Sequence, residues 1–268
     1  MLLSLCALLI LPFSAFALDP SRSVFQLNCL SWSRQNGLPV NGITAVTQTK
    51  DGYLWLGTQK GLVRFEGNEF KLVPLPNGPD LPGLAVSCIS PAKAGGLWFG
   101  IPSGSFGLFD GEHFVPTQRQ PWSDPRMNVI ALQRTADGAL WVGTDKGTAR
   151  VIDGNTNASA FYEQLSTCSA IYQDAKGCVW LGTDQKGLYY WKDGAILRFP
   201  DDSLSQHLIF AITQDRQGQL WVGTESGVRC YAADFTPKEL PGFYTETRAL
   251  LVDHDGVLWM GTMIGRSV

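Results

Sequence analysis

The chain has 268 residues, 21 basic against 24 acidic side chains, and a net charge of −3. Its 44% hydrophobic content and nine tryptophans exclude a disordered chain and point to a folded core. The balance is mildly acidic and contains no basic stripe, which counts against a nucleic-acid partner.

The first element, Leu2 to Ala17, is an apolar run ending in Ala15-Phe16-Ala17. It reads as a secretory signal peptide, residues 1–17, cleaved after the last of these, although its start carries no Lys or Arg. Cys6 lies too early in it for a lipoprotein cysteine. No other segment is long and apolar enough to span a membrane.

From residue 18 to 268 one phrase recurs. It reads Trp55-Leu56-Gly57-Thr58, Trp98-Phe99-Gly100-Ile101, Trp141-Val142-Gly143-Thr144, Trp180-Leu181-Gly182-Thr183, Trp221-Val222-Gly223-Thr224 and Trp259-Met260-Gly261-Thr262. The tryptophans are 43, 43, 39, 41 and 38 residues apart. A period near 40 means a series of equivalent supersecondary units.

Each unit resolves into strands. Three residues before each Trp stands a Gly: Gly52, Gly95, Gly138, Gly177, Gly218 and Gly256. In three copies Asp51, Asp137 or Asp255 precedes it, and Asp-Gly between apolar runs marks a hairpin turn. Nine residues before each Trp the residue is aliphatic: Val46, Ile89, Leu132, Ile171, Ile212 and Leu250. One position earlier it is small: Ala45, Cys88, Ala131, Ala170, Ala211 and Ala249. Adjacent strand residues face opposite ways, so this strand is expected to be buried on both faces by close neighbours. After the Trp a Gly recurs at Gly61, Gly104, Gly147, Gly187, Gly227 and Gly265, then a third strand and turn. Short outer strands follow, as at Phe70 to Leu75, Phe114-Val115 and Ala195 to Phe199. Four antiparallel strands in about 40 residues make one propeller blade. The expected fold class is all-β, a β-propeller of about six repeats with the last incomplete. Repetition assigns the six tryptophans to packing between blades.

The remaining cysteines, Cys29, Cys88, Cys168, Cys178 and Cys230, are odd in number and scattered, so they form no disulfide framework. A tight turn at 174–177 is expected to pair Cys178 with Gln173. His113, His207 and His254 share no repeat position and read as scattered residues, not metal ligands. No cofactor is expected.

The sixth repeat stops nine residues after Trp259, before any outer strand. The segment Val24 to Trp32 could add one outer strand but not a further blade. Two alternatives stand: a six-bladed ring with a degenerate last blade, or, favoured, a fragment of a longer ring.

The stretch Trp32-Ser33-Arg34-Gln35-Asn36-Gly37-Leu38-Pro39-Val40-Asn41, followed by Asp51 to Thr58 and Gly61 to Gly67, resembles the first blade of the two-component regulator propeller family. The second repeat departs most, with Ile101 for Thr. The resemblance implies a periplasmic sensor region of a bacterial membrane receptor, with one or two propellers, usually seven-bladed. A β-sandwich, a membrane helix and a histidine kinase or diguanylate cyclase output would follow. None of those parts lies in this chain, so no catalytic residue carries over and no enzyme is expected. The membrane would be reached only through a downstream segment, with a homodimer in the full-length receptor. The alternatives are a secreted carbohydrate-binding propeller and a polysaccharide-cleaving one.

In a propeller the turns between second and third strands share one face with the links between blades. Three of those turns carry a Lys, namely Lys60, Lys146 and Lys186, a partial ring of ammonium groups suited to an anionic small molecule or oligosaccharide. Ordinary solvated turn chemistry is the alternative. Glu225 is a possible acid on the same face. The link 121–126 places Trp122 beside Asp124 and Arg126, an aromatic and charged group suited to carbohydrate, though Trp122 could equally cap the core.

Overall fold

The computed structural model describes residues 30–73, 85–92, 95–117, 122, 124, 126–152, 155–240 and 242–263. The expected signal segment and residues 24–29 of the proposed extra outer strand lie outside the described residues. So do five residues at the end of the sixth repeat, 264–268.

The six repeats form six separate antiparallel sheets within one unit that begins at Trp32. The first sheet is β1 (Ile43–Gln48), β2 (Leu54–Thr58), β3 (Gly61–Phe65) and β4 (Phe70–Val73). The second is β5 (Cys88–Pro91), β6 (Leu97–Gly100), β7 (Phe106–Phe109) and β8 (Phe114–Pro116). The third is β9 (Val129–Arg134), β10 (Ala139–Thr144), β11 (Thr148–Ile152) and β12 (Asn155–Tyr162). The fourth is β13 (Cys168–Gln173), β14 (Val179–Thr183), β15 (Leu188–Lys192) and β16 (Ala195–Arg198). The fifth is β17 (Ile209–Gln214), β18 (Leu220–Thr224), β19 (Gly227–Tyr231) and β20 (Pro237–Lys238). The sixth is a hairpin among the described residues, β21 (Thr247–Val252) and β22 (Leu258–Thr262). Strands follow chain order across every sheet, and the first strands of successive blades pack on one another from β1 to β21. This is the blade architecture of a β-propeller.

The repeated phrase explains that packing. The turn Gly before each Trp has φ between 78° and 90°, a left-handed conformation that an L side chain rarely adopts. Each first strand then carries the small residue opposite the Gly of the Trp-x-Gly-Thr phrase, as Ala170 lies opposite Gly182. Together they form a shallow socket, and the next blade fills it. A Cβ on Gly182 would lie 2.5 Å from Ile209 Cγ2, and one on Gly100 2.6 Å from Val129 Cγ1. At Gly57 the neighbour is Val86, at Gly143 it is Cys168 and Ile171, and at Gly223 it is Thr247.

Most of these incoming residues stand twelve before their own Trp, on the same parity as the small residue. A register shift lies at this end of the pairing in five blades, for example between Ile209 and Ala211. A bulge of this kind turns a side chain to the other face of its strand. The threonine closing the phrase is buried in four blades and donates its hydroxyl to the carbonyl of the following turn glycine. The pairs are Thr58 to Gly61 at 2.8 Å, Thr144 to Gly147 at 2.8 Å, Thr183 to Gly187 at 2.6 Å and Thr224 to Gly227 at 2.9 Å.

The expectation of burial on both faces holds in the middle blades and fails at the two ends. Leu132 and Ile212 are 7% exposed, whereas Val46 at the same repeat position is 60% exposed. Ile43, the counterpart of Ile209, is also exposed. At the other end Leu251 is exposed, and among the described residues a Cβ on Gly261 would meet only its own strand neighbour Ala249. Among the described residues the first blade thus presents a knob without a socket, and the sixth a socket without a knob.

One further expectation changes in detail. Gln173 pairs with Val179, while Cys178 stays in the turn, its carbonyl accepting from Asp174 N–H at 2.9 Å. The turn is therefore one residue longer than expected, on its C-terminal side. Cys88 and Cys168 are buried among apolar side chains, and that burial pushes each thiol up to about 12.

Candidate functional site

The turns between second and third strands are tied to the links between blades by hydrogen bonds that recur around the chain. Gln59 N–H donates to Gly42 O at 3.4 Å, Asp145 N–H to Asn128 O at 3.2 Å, and Asp184 N–H to Thr167 O at 3.0 Å. Asp145 accepts from Asn128 N–H and Nδ2, both at 3.0 Å. Turns and links therefore share one face, as the blade topology requires. We take this loop face as the candidate site.

The residues singled out from the sequence fall on it unequally. Lys60 and Lys146 are exposed and make no ion pair among the described residues. Lys186 is exposed too, and its ammonium group donates to Gln164 O at 3.1 Å. Three cationic groups thus stand on this face without a carboxylate partner, each on a different blade.

Glu225 is held firmly. One carboxylate oxygen lies 2.6 Å from His207 Nδ1, and the other accepts Leu208 N–H at 2.8 Å. Burial works to raise its pKa, but the bonds from His207 and the backbone prevail and hold it below its ordinary value. Ser226 Oγ lies 3.4 Å from the same imidazole nitrogen. The pair joins the turn of blade five to the link that precedes the blade. Sequence reading placed Glu225 on this face but gave His207 no role; the two are 18 residues apart, and no motif announces the contact.

Trp122 and Arg126 separate. Trp122 stacks between Phe106 and Phe161, with ring centroids 6.2 Å and 5.3 Å away and planes nearly parallel. It caps the core between blades two and three. Arg126 stays exposed and binds Asp124 at 3.0 Å, which raises its pKa. Ser103 Oγ and one oxygen of Asp184, both in turns of the loop face, are buried without a hydrogen-bond partner among the described residues. Among the described residues no group of three His, Cys, Asp or Glu could hold a metal ion.

The family model for the two component regulator propeller matches residues 37–60, 165–185 and 203–226, within three of the six repeats. No curated protein matches the chain in sequence. Among solved structures, the extracellular domain assigned to a hybrid two component system of B. thetaiotaomicron is similar at 19% identity and a TM-score of 0.70. The match covers 87% of this chain and 34% of that one, so the chain spans about a third of that domain. Virginiamycin B lyase from Staphylococcus aureus is similar at 14% identity and a TM-score of 0.66, with 89% and 88% covered. PorZ, a surface component of the type-IX secretion system of Porphyromonas gingivalis, is similar at 16% identity and 0.61, with 83% and 37% covered. Likeness at these identities carries the fold. No helix among the described residues is long and apolar enough to cross a membrane. The chain is a β-propeller, and three of its six repeats match the two component regulator propeller model.

Proposed function

We propose that the chain is the ligand-sensing propeller of a bacterial signal-transduction receptor, working in the periplasm and passing its signal to an output domain carried elsewhere in the receptor. The observation that carries this reading is the match of three repeats to the two component regulator propeller model. The loop face supplies the binding chemistry. Among the described residues Lys60, Lys146 and Lys186 form no ion pair there, so their ammonium groups are available to an anionic ligand such as an acidic oligosaccharide. Arg126, on the same face, is spent on Asp124 and contributes less. Binding would then bias the receptor between two arrangements of its propellers or subunits.

Isothermal titration of the intact chain with oligogalacturonate tests the binding step. Saturable binding that weakens with salt, and falls in the Lys60→Gln/Lys146→Gln/Lys186→Gln triple variant, is the expected result. Equal binding by that variant would remove the lysines from the reading.

A second reading, a polysaccharide-cleaving lyase, is favoured by the His207–Glu225 pair on the loop face. It predicts turnover of acidic polysaccharide that disappears in Glu225→Gln. Product-free incubations over a broad glycan panel would dismiss it.

A further inference from the structure

We propose that a cavity beside the β18–β19 turn is a second binding site, one that takes a small aromatic ring bearing a carboxylate. The cavity has a volume of about 950 Å³ and is walled by the link before blade five, by β19, and by the link that follows β20. Five aromatic residues contribute to it: Phe199, Tyr231, Phe235, Phe243 and Tyr244. Phe199 and Tyr231 belong to the core. The other three do not, and Tyr244 leaves 75% of its surface open.

Phe235 is the most informative of them. Its φ is 68°, in the left-handed region where a bulky side chain is strained. It sits in a turn one residue longer than its counterpart in blade one: Ala232 N–H reaches Thr236 O, where Glu66 N–H reaches Glu69 O. The result is a ring set edge-on to Trp180 and Phe199, at 5.4 Å and 5.6 Å between centroids, while Phe235 itself stays 41% exposed. Strain of this kind persists where the surroundings fix it, and here it fixes an aromatic wall of the cavity.

The charges select the ligand's polar group. Asp201 is occupied, accepting Ser203 N–H at 2.8 Å and the Tyr231 hydroxyl at 2.6 Å. Its pKa is lowered: burial opposes the change, while those bonds and the nearby Arg229 produce it. His207 is turned to Glu225, and Lys238 to Gln219. Glu239 is exposed at the wall. Arg229 is exposed and makes no ion pair among the described residues. A guanidinium offers parallel donors matched to a carboxylate, and aromatic walls offer faces and edges to a flat ring. A neutral ring would leave the guanidinium unused. A sugar acid would set hydroxyl groups against Phe243 and Phe235.

The test uses the intact chain and three probes: 4-hydroxyphenylacetate, 4-methylphenol and glucuronate, each titrated by calorimetry and by saturation-transfer NMR. Saturable binding of 4-hydroxyphenylacetate is expected. It should weaken about tenfold in Arg229→Gln, the size of a charge-assisted hydrogen bond, and similarly in Tyr244→Ala. 4-Methylphenol should bind about tenfold more weakly, and the lysine triple variant should bind like the parent, which separates this site from the loop-face lysines. Both substituted side chains are exposed, so unchanged melting curves establish that the variants fold. No saturable binding, equal binding of glucuronate, or indifference to Arg229→Gln would overturn the proposal.

Discussion

Replacing Asp174 by Ala should be among the most damaging single changes available in a turn of this chain. Asp174 stands six residues before Trp180, and its Oδ2 accepts the indole N–H at 2.9 Å. Its Oδ1 accepts the backbone N–H groups of Lys176 and Cys178, both at 2.9 Å, and so holds the hairpin turn. Trp180 is 1% exposed, so its N–H has no water to turn to. An orphaned buried donor costs about 1–3 kcal/mol, and two half-solvated turn bonds add about 0.5–1 kcal/mol each. The expected loss is about 3 kcal/mol. It would be read as a lower urea midpoint and as faster hydrogen exchange at the Trp180 indole cross-peak.

The same arrangement recurs at Asp215 with Trp221 and at Asp253 with Trp259, while Thr49 serves Trp55 more weakly at 3.2 Å. In blade two the position is Ala92, and the indole N–H of Trp98 is buried without a partner among the described residues. Ala92 N–H reaches Gly96 O as Asp174 N–H reaches Cys178 O, so the two turns have one width. Ala92→Asp should therefore raise stability by about 1 kcal/mol. A loss below about 1 kcal/mol in Asp174→Ala, together with no gain in Ala92→Asp, would refute the reasoning.

Three other perturbations probe the blades. Gly182→Ala forces a methyl against Ile209 and should cost about 1–3 kcal/mol by urea unfolding, while Gly261→Ala, whose close neighbour among the described residues is Ala249, should cost far less. Val46→Asp should leave the melting temperature nearly unchanged, whereas Ile212→Asp, at the same repeat position but 7% exposed, should prevent soluble expression. Glu225 has a folded pKa below its ordinary 4.5, so its bonds to His207 and Leu208 stabilise the fold above that value. That contribution disappears as pH falls through the depressed pKa. A series of melts from pH 6 to pH 3 should show a shallower decline in Glu225→Gln than in the parent, and parallel declines would contradict this.

The architecture was largely legible because the repeat exposes it. Ala170 opposite Gly182 is a contact that six aligned copies make visible as a small column facing a repeated Gly, whereas Ile209, in a column that mixes Ile43, Val86, Val129, Cys168 and Thr247, gives no such signal for its contact with Gly182. The turn aspartates were half legible. Asp51, Asp137 and Asp255 stand out as Asp-Gly pairs, but the residues that hold the indoles, Asp174, Asp215 and Asp253, sit two positions earlier in place of Thr49 and Thr135. Two solutions to the same turn hide each other in an alignment by eye. The width of the 174–178 turn was misjudged for the same reason, since Asp174 bonds across it to Cys178. The exposure of Val46 and Ala249 was invisible, because a column of like residues says nothing about which copy lacks a neighbour. The loop face is less legible still. Its contacts, such as His207 with Glu225, join segments that do not repeat, and Trp122 reads the same whether it faces a ligand or, as here, lies between Phe106 and Phe161.

Equivalent joints between blades have a consequence for how this chain can be cut and rejoined. A break between Phe161 and Cys168 would leave two pieces, one ending in the socket of Gly143 and the other beginning with Cys168 and Ile171. The severed surfaces are those the intact protein already matches, so two separately expressed halves should find each other without a tether. The same uniformity makes the joint poorly selective. The socket at Gly261 and Ala249 resembles the severed one, so an isolated second half could pair through it with another copy of itself, and chain connectivity becomes the device that orders the blades.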